Sequence, residues 1–172
     1  MAYSSVTIDN KETFEMIEGL IRKLEKPEPL LRIIGNYLRS LTAKMFSGAR
    51  PDTGGVRGEK WQPLAMNTIQ RKLSSAKRGL GMQIGNARRP LIATGRLKES
   101  LLSASSIKVS HDGLVYGTDV KSNNGFPYPG MHQLGGKNLP KRRFLFINVD
   151  ELNQIAITTR DWILGVKTGS IS

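Results

Sequence analysis

The run from Pro127 to Ile147 constrains this chain more than any other part of it, because three backbone devices follow one another there. Tyr128 stands between Pro127 and Pro129, so its backbone is restricted on both sides and its ring is presented in a preset direction. Gly135 and Gly136 come next and end a short helical turn that carries Met131 to Leu134, since glycine takes left-handed dihedrals without steric cost. Lys141, Arg142 and Arg143 then adjoin the apolar run Phe144 to Ile147, which is short enough for a buried strand. A polar turn fixed to the end of a core strand is expected, a layout suited to docking a partner. Its candidate contact residues are Tyr128, His132, Gln133, Arg142 and Arg143, with Phe144 as a structural anchor.

The rest of the chain alternates helical stripes with loops. Val6 to Ile8 reads as a short strand, and Asp9 or Asn10 can cap a helix over Lys11 to Lys26, with Phe14, Ile17, Leu20, Ile21 and Leu24 on one face. Pro27 and Pro29 break it and start a longer helix ending near Gly48, whose stripe is Leu30, Ile34, Tyr37, Leu38, Leu41 and Met45. That stripe is expected to pack across a sheet. Residues 49–60 hold Pro51, Gly54, Gly55 and Gly58 and read as a flexible loop, closed by Trp61, whose burial would contribute about 2 to 3 kcal/mol. Asn67 or Thr68 can cap a short helix carrying Ile69 and Leu73.

Residues 74–90 hold three glycines and few apolar anchors, so a second flexible loop is expected, one that orders against a partner at a cost of about 1 to 2 kcal/mol per residue. Thr94 can cap a helix from Gly95 to about Ser103, with Leu97, Leu101 and Leu102 inward. Ile107 and Val109 then alternate with polar residues, His111-Asp112-Gly113 supplies turn chemistry, and Leu114 to Tyr116 begins the return strand of an antiparallel hairpin. After Ile147, Asn148 or Asp150 caps a last helix with Leu152, Ile155, Ala156, Trp162 and Ile163 on the face that would lie on the sheet. Gly165 ends it, and residues 167–172 are expected to fray. The fold class is therefore α+β, a small antiparallel sheet packed against a long N-terminal helix and a C-terminal helix, with long basic loops. At 172 residues one domain is expected, preceded by a strand and helix extension over residues 1–28.

Five blocks share an order that carries a resemblance: Lys60-Trp61-Gln62-Pro63-Leu64; Thr68-Ile69 with Lys72; Pro90-Leu91-Ile92 with Thr94-Gly95-Arg96-Leu97 and Ser100-Leu101; Tyr128 with His132-Gln133 and Gly135-Gly136; Pro140 with Arg142 and Phe144-Leu145. Together they resemble the phage virion morphogenesis family, the Mu-like tail completion proteins, over roughly residues 40 to 165. The chain departs from the family at Pro129, where alanine is usual, and at Ser74 to Arg89, which looks like an insertion. What the resemblance implies is a structural protein of the virion, made in the host bacterial cytoplasm, that caps the tail tube or joins it to head-tail connector proteins. It also implies a homo-oligomeric ring, a hexamer by analogy with symmetric tails, and assigns Trp61 the task of anchoring its loop to the body.

Charge and composition bear on the same question. The net charge is +12, and Lys60, Arg71, Lys72, Lys77, Arg78, Arg88, Arg89, Arg96 and Lys98 fall in a stretch without a single Asp or Glu, whereas residues 1–28 hold six acids against four bases. Such asymmetry offers opposite faces to a ring built from heterologous contacts, or a surface for something acidic. The alternative function is non-specific nucleic-acid binding by the basic 60–98 region, with Lys77, Arg78, Arg88 and Arg89 as candidate contacts to DNA or an acidic partner. No helix-turn-helix, zinc or RNA-binding pattern supports sequence-specific readout.

Enzymatic chemistry finds no foothold in the sequence. There is no cysteine, and the two histidines, His111 and His132, have neither ligand spacing nor a nearby carboxylate, so no metal or cofactor is expected. His132 is expected to bond backbone and fix its turn, and His111 to be an ordinary turn residue. The glycines at 79, 81 and 85 do not form a phosphate loop, and no serine sits in a nucleophile elbow. Met1 to Asp9 lacks the basic start and apolar run of a secretory leader, and no apolar window approaches a membrane span.

Overall fold

A computed structural model describes residues 11–48 and 56–166. The strand expected at Val6 to Ile8, its following caps, the loop tip 49–55 and the tail 167–172 lie outside those residues. The described chain is α+β. It runs α1 (Lys11–Glu25), α2 (Glu28–Gly48), α3 (Met66–Lys77), a 3-10 turn (Ile84–Asn86), α4 (Arg96–Leu102), a second 3-10 turn (Ala104–Ser106), β1 (Ile107–Ser110), β2 (Gly113–Tyr116), α5 (Tyr128–Leu134) and α6 (Val149–Leu164).

The strands form the expected hairpin, antiparallel and in register from Ile107 opposite Tyr116 to Ser110 opposite Gly113. α2 lies across it and reaches it closely at Gly35, where an added Cβ would stand 2.8 Å from the Ile107 Cγ2 and 3.2 Å from the Leu114 Cδ1. Glycine in a helix interior costs about 1 kcal/mol relative to alanine, and here that cost allows the helix to touch the sheet. The far end of α2 supplies Met45 and Phe46 to a core completed by Trp61, Ile92, Leu97, Leu101 and Phe144. Phe46 meets the Trp61 ring edge to face with centroids 5.7 Å apart, and the Trp61 indole N–H donates to the Arg143 carbonyl at 2.8 Å. Trp61 and Phe144, the expected anchors, are each about 1% exposed.

Phe144 nevertheless does not lie in a strand, which corrects the expectation for Phe144 to Ile147. A side chain stands in for the neighbouring strand: the Gln133 Oε1 accepts from the Phe144 and Leu145 amides at 3.0 and 3.2 Å, while its Nε2 donates to the Leu145 carbonyl. The helix ends also differ from expectation. α3 begins after Ala65 and α4 after Gly95, neither cap residue giving a side-chain bond. Asn67 and Thr68 therefore lie inside α3, and Thr94 stands one residue before the cap, its Oγ1 accepting from the Arg96 amide at 3.5 Å. Asn148 does cap α6, its side chain accepting from the Glu151 amide while Glu151 reaches back to the Asn148 amide, and Gly165 closes the helix in a left-handed conformation.

α6 packs against α1 and α2 rather than on the sheet, because α2 already covers the hairpin. α1 forms over the expected residues, yet none of them is buried. Two segments read as loops have a defined path. Val56 and Glu59 exchange backbone hydrogen bonds around Arg57 and Gly58, both at positive φ. Within 74–90, α3 runs on to Lys77 and the 3-10 turn follows, tied down by Lys72 as described next. No described helix is long and apolar enough to cross a membrane.

Candidate functional site

Most of the residues singled out for partner contact turn inward. Arg142 is 4% exposed and donates from Nε to the Gln62 carbonyl and from Nη2 to the Pro63 carbonyl, so it joins two loops instead of meeting a partner. Gln133 is taken up by the clamp on Phe144 and Leu145. Arg143 pairs with Glu59 and lies over the Phe146 ring at 5.3 Å, but stays half exposed. Tyr128 is partly buried and packs edge to face against His132, with centroids 6.4 Å apart.

The His132 side chain does not bond backbone as expected. Its Nδ1 is buried without a hydrogen-bond partner, and the bond that fixes the turn runs from the Arg142 amide to the His132 main-chain carbonyl. Burial and then the Arg142 charge hold its pKa below the ordinary 6.5, so the ring stays neutral. Gly135, which follows, has φ 78° and ψ −179°, and a Cβ there would come within 3.0 Å of the Lys141 backbone. Only glycine fits that position.

The basic stretch also divides. Lys72 is 7% exposed, and its ammonium donates all three protons, to the carbonyls of Asn86, Arg89 and Ile92 at 2.9, 2.8 and 2.6 Å. Burial, with the Arg89 charge second, lowers its pKa to about 8, which leaves it charged at neutral pH. The Arg89 Nη2 donates to the Phe46 carbonyl at 2.7 Å, so this residue belongs to the fold as well. Of the four candidate DNA contacts, Lys77, Arg78 and Arg88 remain exposed.

Among the described residues there are at least three concave surfaces. One of them, of about 530 Å³, is lined by Ser100, Ser105, Lys108, Thr118 and Asp119 beside the hairpin. The other two bear on the residues above. One, of about 680 Å³, has a polar wall of Thr94, Arg96, Asn123 and Tyr128, and there the Arg96 Nη1 donates to the Asn123 amide oxygen at 2.9 Å. The other, of about 410 Å³, is an apolar groove between α2, the hairpin and the 145–147 segment, floored by Leu38, Leu114, Tyr116, Leu145, Phe146 and Ile147. Arg57 stacks over the Phe146 ring at 4.3 Å and forms an ion pair with Glu151 beneath it. Burial raises the Glu151 pKa, but the Arg57 hydrogen bond and charge and the Asn148 amide outweigh it and hold the carboxyl below its usual range. Among the described residues no group of three His, Asp or Glu side chains could hold a metal ion.

Sequence reasoning missed the inward turn of Lys72 and Arg142, though a signal existed for each. Lys72 falls three residues after Ile69 and four before Ala76, on the inner face of α3. Arg142 alternates with Arg143 and shares its side with Phe144 in an extended run. Compared with known proteins, the chain matches no family model, no curated protein and no solved structure.

Proposed function

We propose that this chain is a structural subunit of a phage particle that acts in tail completion or head-tail joining as an oligomeric ring, with no catalytic role. The observation that carries the self-associating part of this reading is the bare apolar stripe of α1, with Phe14, Ile17, Ile21 and Leu24 all exposed on a helix that buries none of its residues. An apolar surface of that kind marks an interaction site. The phage assignment itself rests on the ordered blocks from Lys60 to Leu145. In this reading the partners are further copies of the chain, the tail tube and the head-tail connector.

Light scattering on the purified protein, with and without isolated tail tubes, tests the assignment: a monomer that never joins tails refutes it. Particles assembled without the protein should accumulate as complete but unjoined heads and tails, and normal infectious particles in its absence would equally overturn the reading.

A second reading, non-specific nucleic-acid binding, is favoured by Lys77, Arg78 and Arg88, which project from the end of α3 and the turn after it without an acid partner among the described residues. Binding by these groups would weaken steeply with salt as counterions are released. Changing Lys77, Arg78 and Arg88 together to Ser should abolish a gel shift seen with the wild type, and equal binding by both proteins excludes this surface.

A further inference from the structure

Two apolar surfaces of one chain complement each other but belong to different faces. On α1, Phe14, Ile17, Ile21 and Leu24 are 63%, 45%, 49% and 60% exposed, while the opposite side of the helix is fixed to α6 by the Lys23 ammonium, which donates to the Trp162 and Ile163 carbonyls at 3.0 Å each. The stripe therefore looks away from the body. The groove beside Phe146 is apolar, and the two hydroxyls that line it are engaged inside the fold: the Thr42 Oγ1 donates to the Leu38 carbonyl at 3.0 Å and the Tyr116 OH to the Leu101 carbonyl at 3.1 Å. It has apolar walls to offer and little hydrogen-bonding capacity, which suits a row of aliphatic and aromatic side chains.

We propose that α1 of one copy seats its Phe14, Ile17, Ile21 and Leu24 stripe in the Leu38, Leu114, Phe146 and Ile147 groove of the next copy, forming the head-to-tail joint of the assembly. The joint presupposes that the chain assembles with itself, as proposed above. Charge favours this occupant. α1 carries Glu12, Glu15, Glu18 and Glu25 against Lys11, Arg22 and Lys23, with Glu18 paired to Arg22 and Lys23 held by α6. The groove, by contrast, is flanked by Arg39, whose charge reaches the Tyr116 hydroxyl and which has no acid partner among the described residues; Arg57 and Arg143 over Phe146 are already paired with Glu151 and Glu59. The same acids disfavour an anionic lipid surface, which selects Lys and Arg on the polar face of such a helix.

Size is consistent with the joint. A 15-residue helix is about 22 Å long and buries roughly 500 Å² on each side of such a contact, hence about 1,000 Å² in total, the lower limit for a specific interface. Each subunit makes the contact twice, once through its helix and once through its groove. Donor and acceptor surfaces that differ permit ring closure.

Complementation tests the joint, using two full-length variants altered at exposed positions. Ile17→Glu with Ile21→Glu disables the helix and leaves the groove intact, and Ile147→Glu, at a residue 48% exposed, does the reverse. With circular dichroism and thermal melting unchanged, each variant alone should sediment as a monomer where the wild type is oligomeric, its self-affinity weakened at least ~30-fold as expected for a hot-spot loss. An equimolar mixture should give 1:1 dimers and nothing larger, because only one helix and one groove remain usable per pair. An Ile147→Glu protein that still self-associates like the wild type overturns the joint, since the helix would then pair elsewhere. If both variants stay oligomeric, this joint fails while self-assembly stands, and if the wild type is monomeric at all concentrations, both fail. Co-sedimentation of the wild type with phosphatidylglycerol vesicles, lost in the Ile17→Glu, Ile21→Glu protein, would assign the stripe to lipid and also overturn the proposal.

Discussion

In α2 the helical stripe of Leu30, Tyr37, Leu41 and Met45 is buried, whereas in α1 the corresponding stripe of Phe14, Ile17, Ile21 and Leu24 stands in solvent. Both helices are amphipathic, and both have glycine near the middle. What separates them is the supply of surfaces to cover them. α2 runs between the hairpin and α4 and has buried residues from Leu30 to Phe46, while α1 touches the body along the side that carries Leu20 and Lys23, both half-buried. Periodicity reveals that a face exists, and the rest of the chain decides whether that face is core or interface.

The largest effect that would break or sharpen this contrast is expected from Phe46→Ala. It empties the site between Trp61 and Phe144 and should lower stability by about 3 to 5 kcal/mol in urea unfolding, whereas Phe14→Ala should stay within about 0.5 kcal/mol for the monomer. A large loss from Phe14→Ala would mean that α1 is core after all.

The two lysines of α3 repeat the contrast on a smaller scale. Lys72→Met leaves three carbonyls without their donor and should cost about 2 to 3 kcal/mol, against a change within about 0.5 kcal/mol for Lys77→Met, measured as shifts in chemical-denaturation midpoint.

The glycines should separate in sign. Gly35→Val overpacks the contact with Ile107 and Leu114 and should destabilise by about 1 to 3 kcal/mol. Gly19→Ala meets no atom within 4 Å and should stabilise α1 by up to about 1 kcal/mol through helix propensity, visible as a higher melting temperature.

The smallest expected effect is on acidification. His132 has a folded pKa below 6.5, so the unfolded chain takes up that proton first and stability falls as pH drops from about 6.5 toward the folded value. Glu151 has a folded pKa below its ordinary 4.5, so its contribution is complete above that pH and disappears as pH falls through the folded value. Denaturation midpoints recorded from pH 7 to 5 should decline, and His132→Gln should flatten that decline while leaving the loss at lower pH.

Elements governed by local pattern were legible in the sequence. The extents of α2 and α6 and the hairpin turn at His111-Asp112 follow from spacing, capping and glycine placement, whereas the burial of Trp61 was expected from the resemblance, and all are found in the fold. What was not legible depends on partners distant in sequence. For Arg142 the alternation with Arg143 hints at the inward side, but no local pattern shows that the Gln62 and Pro63 carbonyls lie within its reach. Lys72 is disguised by the same chemistry, since a buried ammonium is tolerated only where carbonyls converge, and those carbonyls come from a segment that reads as a loop. The apolar groove needs α2, the hairpin and the 145–147 segment together, so none of the three announces it alone.

The Gln133 clamp has a consequence at the scale of a single atom. Its amide presents an acceptor to two N–H groups and a donor to one carbonyl, in a fixed order along the Phe144-Leu145 backbone. A carboxylate in its place would keep the acceptor for both N–H groups but set an anionic oxygen against the Leu145 carbonyl. The route of the chain into α6 thus hangs on one nitrogen, which no carboxylate of the same shape can replace.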